Sequence, residues 1–125
     1  MTIQTASEEA FTLLELLVTL TLISILTAIA IPQYKSYRQR AFDVRALSDL
    51  RSVALAEEAY YFDNEKYLPC SGAGCTELPG IARISLGTEI SVQVAEDEFS
   101  ITASNSKGTK KLYKWESAQG GLVEE

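Results

Sequence analysis

The sequence predicts an α+β protein: one long N-terminal α-helix packed against a small antiparallel β-sheet of about three strands. Three observations carry that expectation. Phe11 to Ile31 is apolar apart from Glu15 and a few hydroxyls, and it contains no Gly or Pro. Pro32 is the one proline before Pro69, and no glycine precedes Gly72, so little else interrupts a helix across that span. Beyond Gly80, apolar and polar residues alternate in three short runs, the two-residue period of half-buried strands.

The first element is the apolar one. As a helix, residues 11–31 span roughly 31 Å at about 1.5 Å per residue, the hydrocarbon thickness of a bilayer. Every Lys and Arg lies beyond Pro32. A buried core helix is disfavoured, because so short a chain has too little else to surround the segment. A cleaved secretory signal is disfavoured too. The leader, residues 1–10, has no basic residue, the apolar run is long, and Pro32-Gln33-Tyr34-Lys35 is a poor cleavage site. The expectation is a retained membrane helix. A carboxylate at the centre of such a helix costs about 2.5–3.5 kcal/mol and less toward an end. Glu15 lies four residues after Phe11. It either reaches the headgroup region or meets a cation from a neighbouring chain.

The second element, residues 32–63, continues the helix in amphipathic form. Pro32 should kink or loosen it, having no N–H to donate. Ala46, Leu47, Leu50, Val53, Ala54 and Tyr61 recur at three- and four-residue spacing and share a face, with Phe42 and Tyr60 at its edge. Arg45, Ser48, Asp49, Ser52, Ala56 and Ala59 fall opposite. The two halves make one helix of roughly 50 residues, far beyond the usual length. The residues that follow cannot cover its first half, so lipid or other copies of the chain must.

Residues 64–80 are rich in Gly, Pro and small polar side chains and read as a loop. Within it Cys70 and Cys75 enclose Ser-Gly-Ala-Gly, which lets a short disulfide ring close without proving one. Such a ring is worth about 2 kcal/mol, enough to pin the loop but not to hold the fold. It also implies an oxidising location outside the cytoplasm. Residues 81–119 supply the meander. Thr88–Ala95 is a strand, Glu96-Asp97-Glu98 a turn, Phe99–Ala103 a strand, Asn105–Gly108 a turn and Lys111–Ser117 a strand with Tyr113 and Trp115 inward. Residues 120–125 read as a mobile tail.

Composition narrows the function. The 125 residues carry 11 basic and 17 acidic side chains, a net charge of −6, which argues against direct nucleic-acid binding. There is no histidine, so no His-based general base, haem ligand or His-containing zinc site exists. Two cysteines alone close no zinc site. No nucleotide loop and no paired carboxylates in a recognisable context occur, so the expectation is no enzyme, no catalytic residue, no metal and no cofactor.

Ala10–Pro32 resembles the start of a bacterial type IV prepilin. A small residue stands before Phe11, Phe-Thr-Leu-Leu-Glu-Leu follows, and the segment ends Ile29-Ala30-Ile31-Pro32-Gln33-Tyr34. Ser48-Asp49-Leu50-Arg51, Glu58-Ala59-Tyr60-Tyr61 and Asn64-Glu65-Lys66-Tyr67 are also similar to pilins and type II secretion pseudopilins. The resemblance covers residues 10–69, and it implies a type IV pilin-like fold. It implies cleavage between Ala10 and Phe11 by a prepilin peptidase and N-methylation of Phe11. It assigns Glu15 to neutralising the amino terminus of an adjacent subunit, where an unpaired carboxylate would be costly. It makes Pro32 part of the assembly helix. It implies a homo-oligomeric helical filament, built through an assembly platform, an ATPase and a secretin. The chain would first lie in inner-membrane lipid and later in an extracellular pilus used for adhesion, twitching motility or DNA uptake.

Three departures from the family pattern stand out. Ala10 replaces the usual Gly. Ser24 stands where many pilins have Gly, which makes unwinding before Pro32 less easy. The leader is acidic while Lys35, Arg38 and Arg40 lie on the exported side, against the positive-inside bias, which leaves Met1 open as the true start. The alternatives are a type II secretion pseudopilin, a minor pilin and, less favoured, an electron-conducting pilus subunit. The major pseudopilins carry a calcium loop near the C-terminus; Glu116, Glu124 and Glu125 around Gly120-Gly121 form no dense ligand run. Aromatics along the helix are more often core and contact residues than a conduction path.

Overall fold

The computed structural model describes Thr2 and residues 10–123. The leader expected at residues 1–10 lies mostly outside the described residues, as do Glu124 and Glu125 of the tail. The chain divides into two units, Met1–Lys35 and Ser36–Glu125. A single helix, α1, runs from Leu13 to Asn64 without interruption at Pro32.

In the first unit every residue of α1 up to Lys35 is exposed. An 18-residue window of the helix reaches a mean hydropathy of 2.3 with none of it buried, so it is long and apolar enough to cross a membrane. Its hydroxyls are satisfied locally. Thr21 donates to Leu17 O at 2.8 Å, Ser24 to Leu20 O at 2.7 Å and Thr27 to Ile23 O at 2.9 Å. Thr19 donates likewise to Glu15 O. That is how polar side chains are tolerated where no water can serve them.

In the second unit, α1 meets a five-stranded antiparallel meander: β1 (Cys70–Ser71), β2 (Thr88–Ala95), β3 (Glu98–Asn105), β4 (Tyr113–Glu116) and β5 (Gly121–Val123), in that spatial order. The β2–β3 hairpin is the longest pairing, from Thr88↔Asn105 to Ala95↔Glu98. Its alternation sends Ile90 and Val92, then Phe99, Ile101 and Ala103, to one face. Tyr113 and Trp115 pair with Ala103 and Ile101 and pack on that same core. Leu50, Val53, Ala54 and Ala56 of α1, with Cys75 and Leu78 of the connecting loop, complete it. Each such large side chain, fully buried, contributes about 1.5–3 kcal/mol.

The sheet has two strands more than the expected three or so. β1 is only two residues long, too short for a period-2 pattern, and follows directly on Pro69. β5 occupies Gly121–Val123, where a mobile tail was expected. Gly120 takes a left-handed φ of 77° that turns the chain back, and Leu122 pairs with Trp115. The 64–80 loop also holds a 3-10 helix, Gly72–Glu77. On α1, Ala56 is buried although its position suggested the polar side, while Leu47 and Tyr61 are half-buried.

Candidate functional site

The residues singled out by the sequence fall at the start of α1 (Ala10, Phe11, Glu15), inside it (Pro32) and in the loop after it (Cys70, Cys75), and each group has its own chemistry. Ala10 is exposed, and Phe11 is 88% exposed just ahead of α1. Thr12 caps the helix. Its Oγ1 accepts from the Glu15 N–H at 3.1 Å, and the Glu15 Oε2 accepts from the Thr12 N–H at 2.9 Å. This reciprocal pair is a capping box, and the Thr-x-x-Glu spacing before an apolar run signals it in the sequence. Thr12 Oγ1 also lies 3.1 Å from Oε2. The Glu15 Oε1 makes no hydrogen bond among the described residues. The carboxylate can therefore hold the helix start and still receive a cation.

Within the second unit, three acids of α1 each clasp a loop. Asp43 Oδ1 accepts from the Thr109 N–H at 3.0 Å and its Oδ2 from the Thr109 hydroxyl at 2.6 Å. Asp49 accepts from the Ser85 N–H at 2.9 Å and its hydroxyl at 3.0 Å. Glu57 Oε2 accepts from the Leu68 N–H at 2.9 Å. Asp43 and Glu57 are buried, and with Leu50 they recur every seven residues along one face. Gly108 lets the 105–109 turn approach: a Cβ there would stand 2.0 Å from Asp43 Oδ1. Asn105, also buried, donates to Leu86 O and Thr88 Oγ1 and accepts from the Lys107 N–H, tying that turn to the start of β2.

Glu57 is the one strained member. Its Oε1 is buried without a partner. Burial raises its carboxyl above the usual range; the Leu68 N–H opposes this and the neighbouring Glu58 adds to it. Sequence reasoning missed these acids as buried groups. The available signal was their heptad spacing around Leu50.

Cys70 and Cys75 are joined, with an S–S distance of 2.05 Å and Cα atoms 5.1 Å apart. The bond fixes β1 to the 3-10 helix, and Cys75 lies in the core. Among the described residues no three His, Cys, Asp or Glu side chains gather as a metal site.

Residues 6–31 match the family model described as the prokaryotic N-terminal methylation motif. The chain is 30% identical over 105 residues to the type IV wide pilus major component of Thermus thermophilus, covering 81% of this chain and 76% of that protein. It is 28% identical over 120 residues to the type IV major pilin of Neisseria gonorrhoeae, covering 93% of this chain and 73% of that pilin. A fimbrial protein of Pseudomonas aeruginosa is 37% identical over 60 residues, which is 48% of this chain. The matched region spans only 39% of that Pseudomonas protein's length.

Proposed function

The chain belongs to the type IV pilin family, and from that premise we propose that it is the structural subunit of a type IV pilus. The carrying observation is the first half of α1. An apolar surface long enough to cross a bilayer is left wholly exposed by the described residues. Lipid covers it before assembly and other copies cover it afterward. The precursor is cut between Ala10 and Phe11 by a prepilin peptidase, and the new Phe11 amine is methylated. Accessible backbone at Ala10 and Phe11 supports this. Glu15, capped on one oxygen only, is suited to the ammonium of an adjacent subunit. Pro32 belongs to the same polymerising helix. The assembly platform, ATPase and secretin act on this precursor, and the finished fibre serves adhesion, motility or DNA uptake. Relatives that are structural pilins make a catalytic role unneeded.

Electron microscopy of cells lacking the chain tests the reading: long surface fibres should vanish and return with the intact gene. Fibres unchanged by its loss would sink it. Mass spectrometry of the exported chain should give N-methyl-Phe11 as first residue; retained residues 1–10 would overturn the processing step. Glu15→Ala should leave membrane levels unchanged and impair incorporation into fibres. Normal fibres in that variant would refute the ammonium role.

A further inference from the structure

The second unit is electrically polarised along its β2–β3 hairpin. The hairpin's eight paired positions separate its ends by about 25 Å. At the Thr88/Asn105 end, three cations crowd the ring of Phe42: Arg45 at 5.1 Å, Lys107 at 5.8 Å and Arg38 at 5.9 Å from its centroid. Arg45 also lines, with Arg83, Ile84, Ser85 and Leu86, a surface groove of about 540 Å³. None of these four cations has a carboxylate partner among the described residues. Asp49, held by the Ser85 N–H and hydroxyl, is the acid beside this groove, but it forms no ion pair with these cations among the described residues, so four cations against one carboxylate leave a net positive patch suited to an anion.

The opposite end carries the complementary charge. The turn between β2 and β3 is Glu96-Asp97, followed by Glu98, all exposed and without ion pairs among the described residues. Phe99 there packs on Tyr67 at 4.7 Å, and Tyr67 stacks on Tyr61 at 4.6 Å. Burial raises the Tyr67 hydroxyl above its usual range, and the charges of Glu58 and Asp97 add to this. Phe42 and Tyr61 are 19 residues apart on α1, about 28 Å along the helix, in agreement with the hairpin length.

We propose that this unit docks head to tail on a second copy, the Glu96-Asp97-Glu98 turn of one seating in the Arg45–Arg83 groove beside Phe42 of the next. The contact rests on the filament reading above and specifies its outer interface. Two different patches meeting in this way make a heterologous contact, which propagates into an open helical array instead of closing as a dimer. The charges fix register and suppress wrong pairings, while the apolar helices supply the rest.

The test uses the full chain in cells that make no other copy. Arg45→Glu with Arg83→Glu should lower surface fibres about tenfold, since like charges facing each other cost at least that factor. Membrane level and Cys70–Cys75 oxidation should stay as in the wild type. Glu96→Lys with Asp97→Lys should do the same, and the chain carrying all four changes should regain fibres. Wild-type fibre counts in either pair variant overturn the contact and leave the pilus reading standing. Absence of fibres from the wild type itself overturns the pilus reading. Where a variant fails to accumulate, a photo-crosslinking residue placed at Arg83 of the otherwise unchanged chain decides. The expected product is a covalent dimer joined to a peptide containing residues 96–98. Dimers joined elsewhere, or adducts with DNA or lipid in place of a dimer, overturn the proposal.

Discussion

The two halves of α1 are one continuous helix with opposite relations to the rest of the chain. From Leu13 to Lys35 the described residues bury nothing, although most side chains there are apolar. From Ser36 to Asn64 a mixed face is buried, and two of its seven buried residues are acids. The difference teaches that burial follows what the surroundings can satisfy, not hydrophobicity alone. Asp43 and Glu57 go inside because loop N–H groups meet them. Leu17 and Leu20 stay outside because none of the described residues covers them.

Core truncation should expose this contrast most sharply. Leu50→Ala should lower the unfolding free energy of the second unit by about 2–5 kcal/mol. The fluorescence of the single Trp115, followed in detergent against denaturant, reads that loss. Leu20→Ala should leave the same transition within about 0.5 kcal/mol. Equal losses for both would mean that the first half is covered after all.

The reverse change comes next. Leu22→Asp should raise the cost of membrane insertion by about 3–4 kcal/mol, read as chain lost from the membrane fraction. Its Trp115 transition should stay put. Asp43→Ala should cost the second unit roughly 1.5–3 kcal/mol, because two donors of Thr109 lose a charged acceptor. Insertion should be untouched.

The smallest effect is a slope. The Glu57 carboxyl holds its proton more tightly in the folded chain than in the unfolded one. Its contribution to stability is therefore fully present below the ordinary carboxyl value of 4.5 and is lost as pH rises from there through the raised folded value. Glu57→Gln keeps an acceptor for the Leu68 N–H and cannot titrate. Its stability should fall less between pH 4 and pH 7 than that of the wild type, roughly by the share of one group. Parallel profiles would show that Glu57 does not govern the slope.

Much of this architecture was legible in the sequence. The β2 bounds Thr88–Ala95 follow from strict alternation, and the helix end, expected at Asp63 from the Gly- and Pro-rich stretch after it, falls one residue later at Asn64. The Cys70–Cys75 ring could be read as permitted because its enclosed residues are small. What could not be read depends on distant partners. Asp43 is paired with a residue 66 positions away, and no local pattern announces that. β1 and β5 are too short for periodicity and exist because longer neighbours offer them an edge. Thr12 carries a local signal in its spacing to Glu15, the Thr-x-x-Glu of a capping box.

The hydroxyls of the apolar half carry one more consequence. Thr19, Thr21, Ser24 and Thr27 each spend their proton on a carbonyl one turn back in their own helix. They ask nothing of whatever lies alongside. Bonds of this kind need no partner outside the helix. The segment thus behaves as a surface of uniform indifference, with traffic open in both directions. On the role proposed for Glu15 above, its free oxygen would be the group that imposes direction.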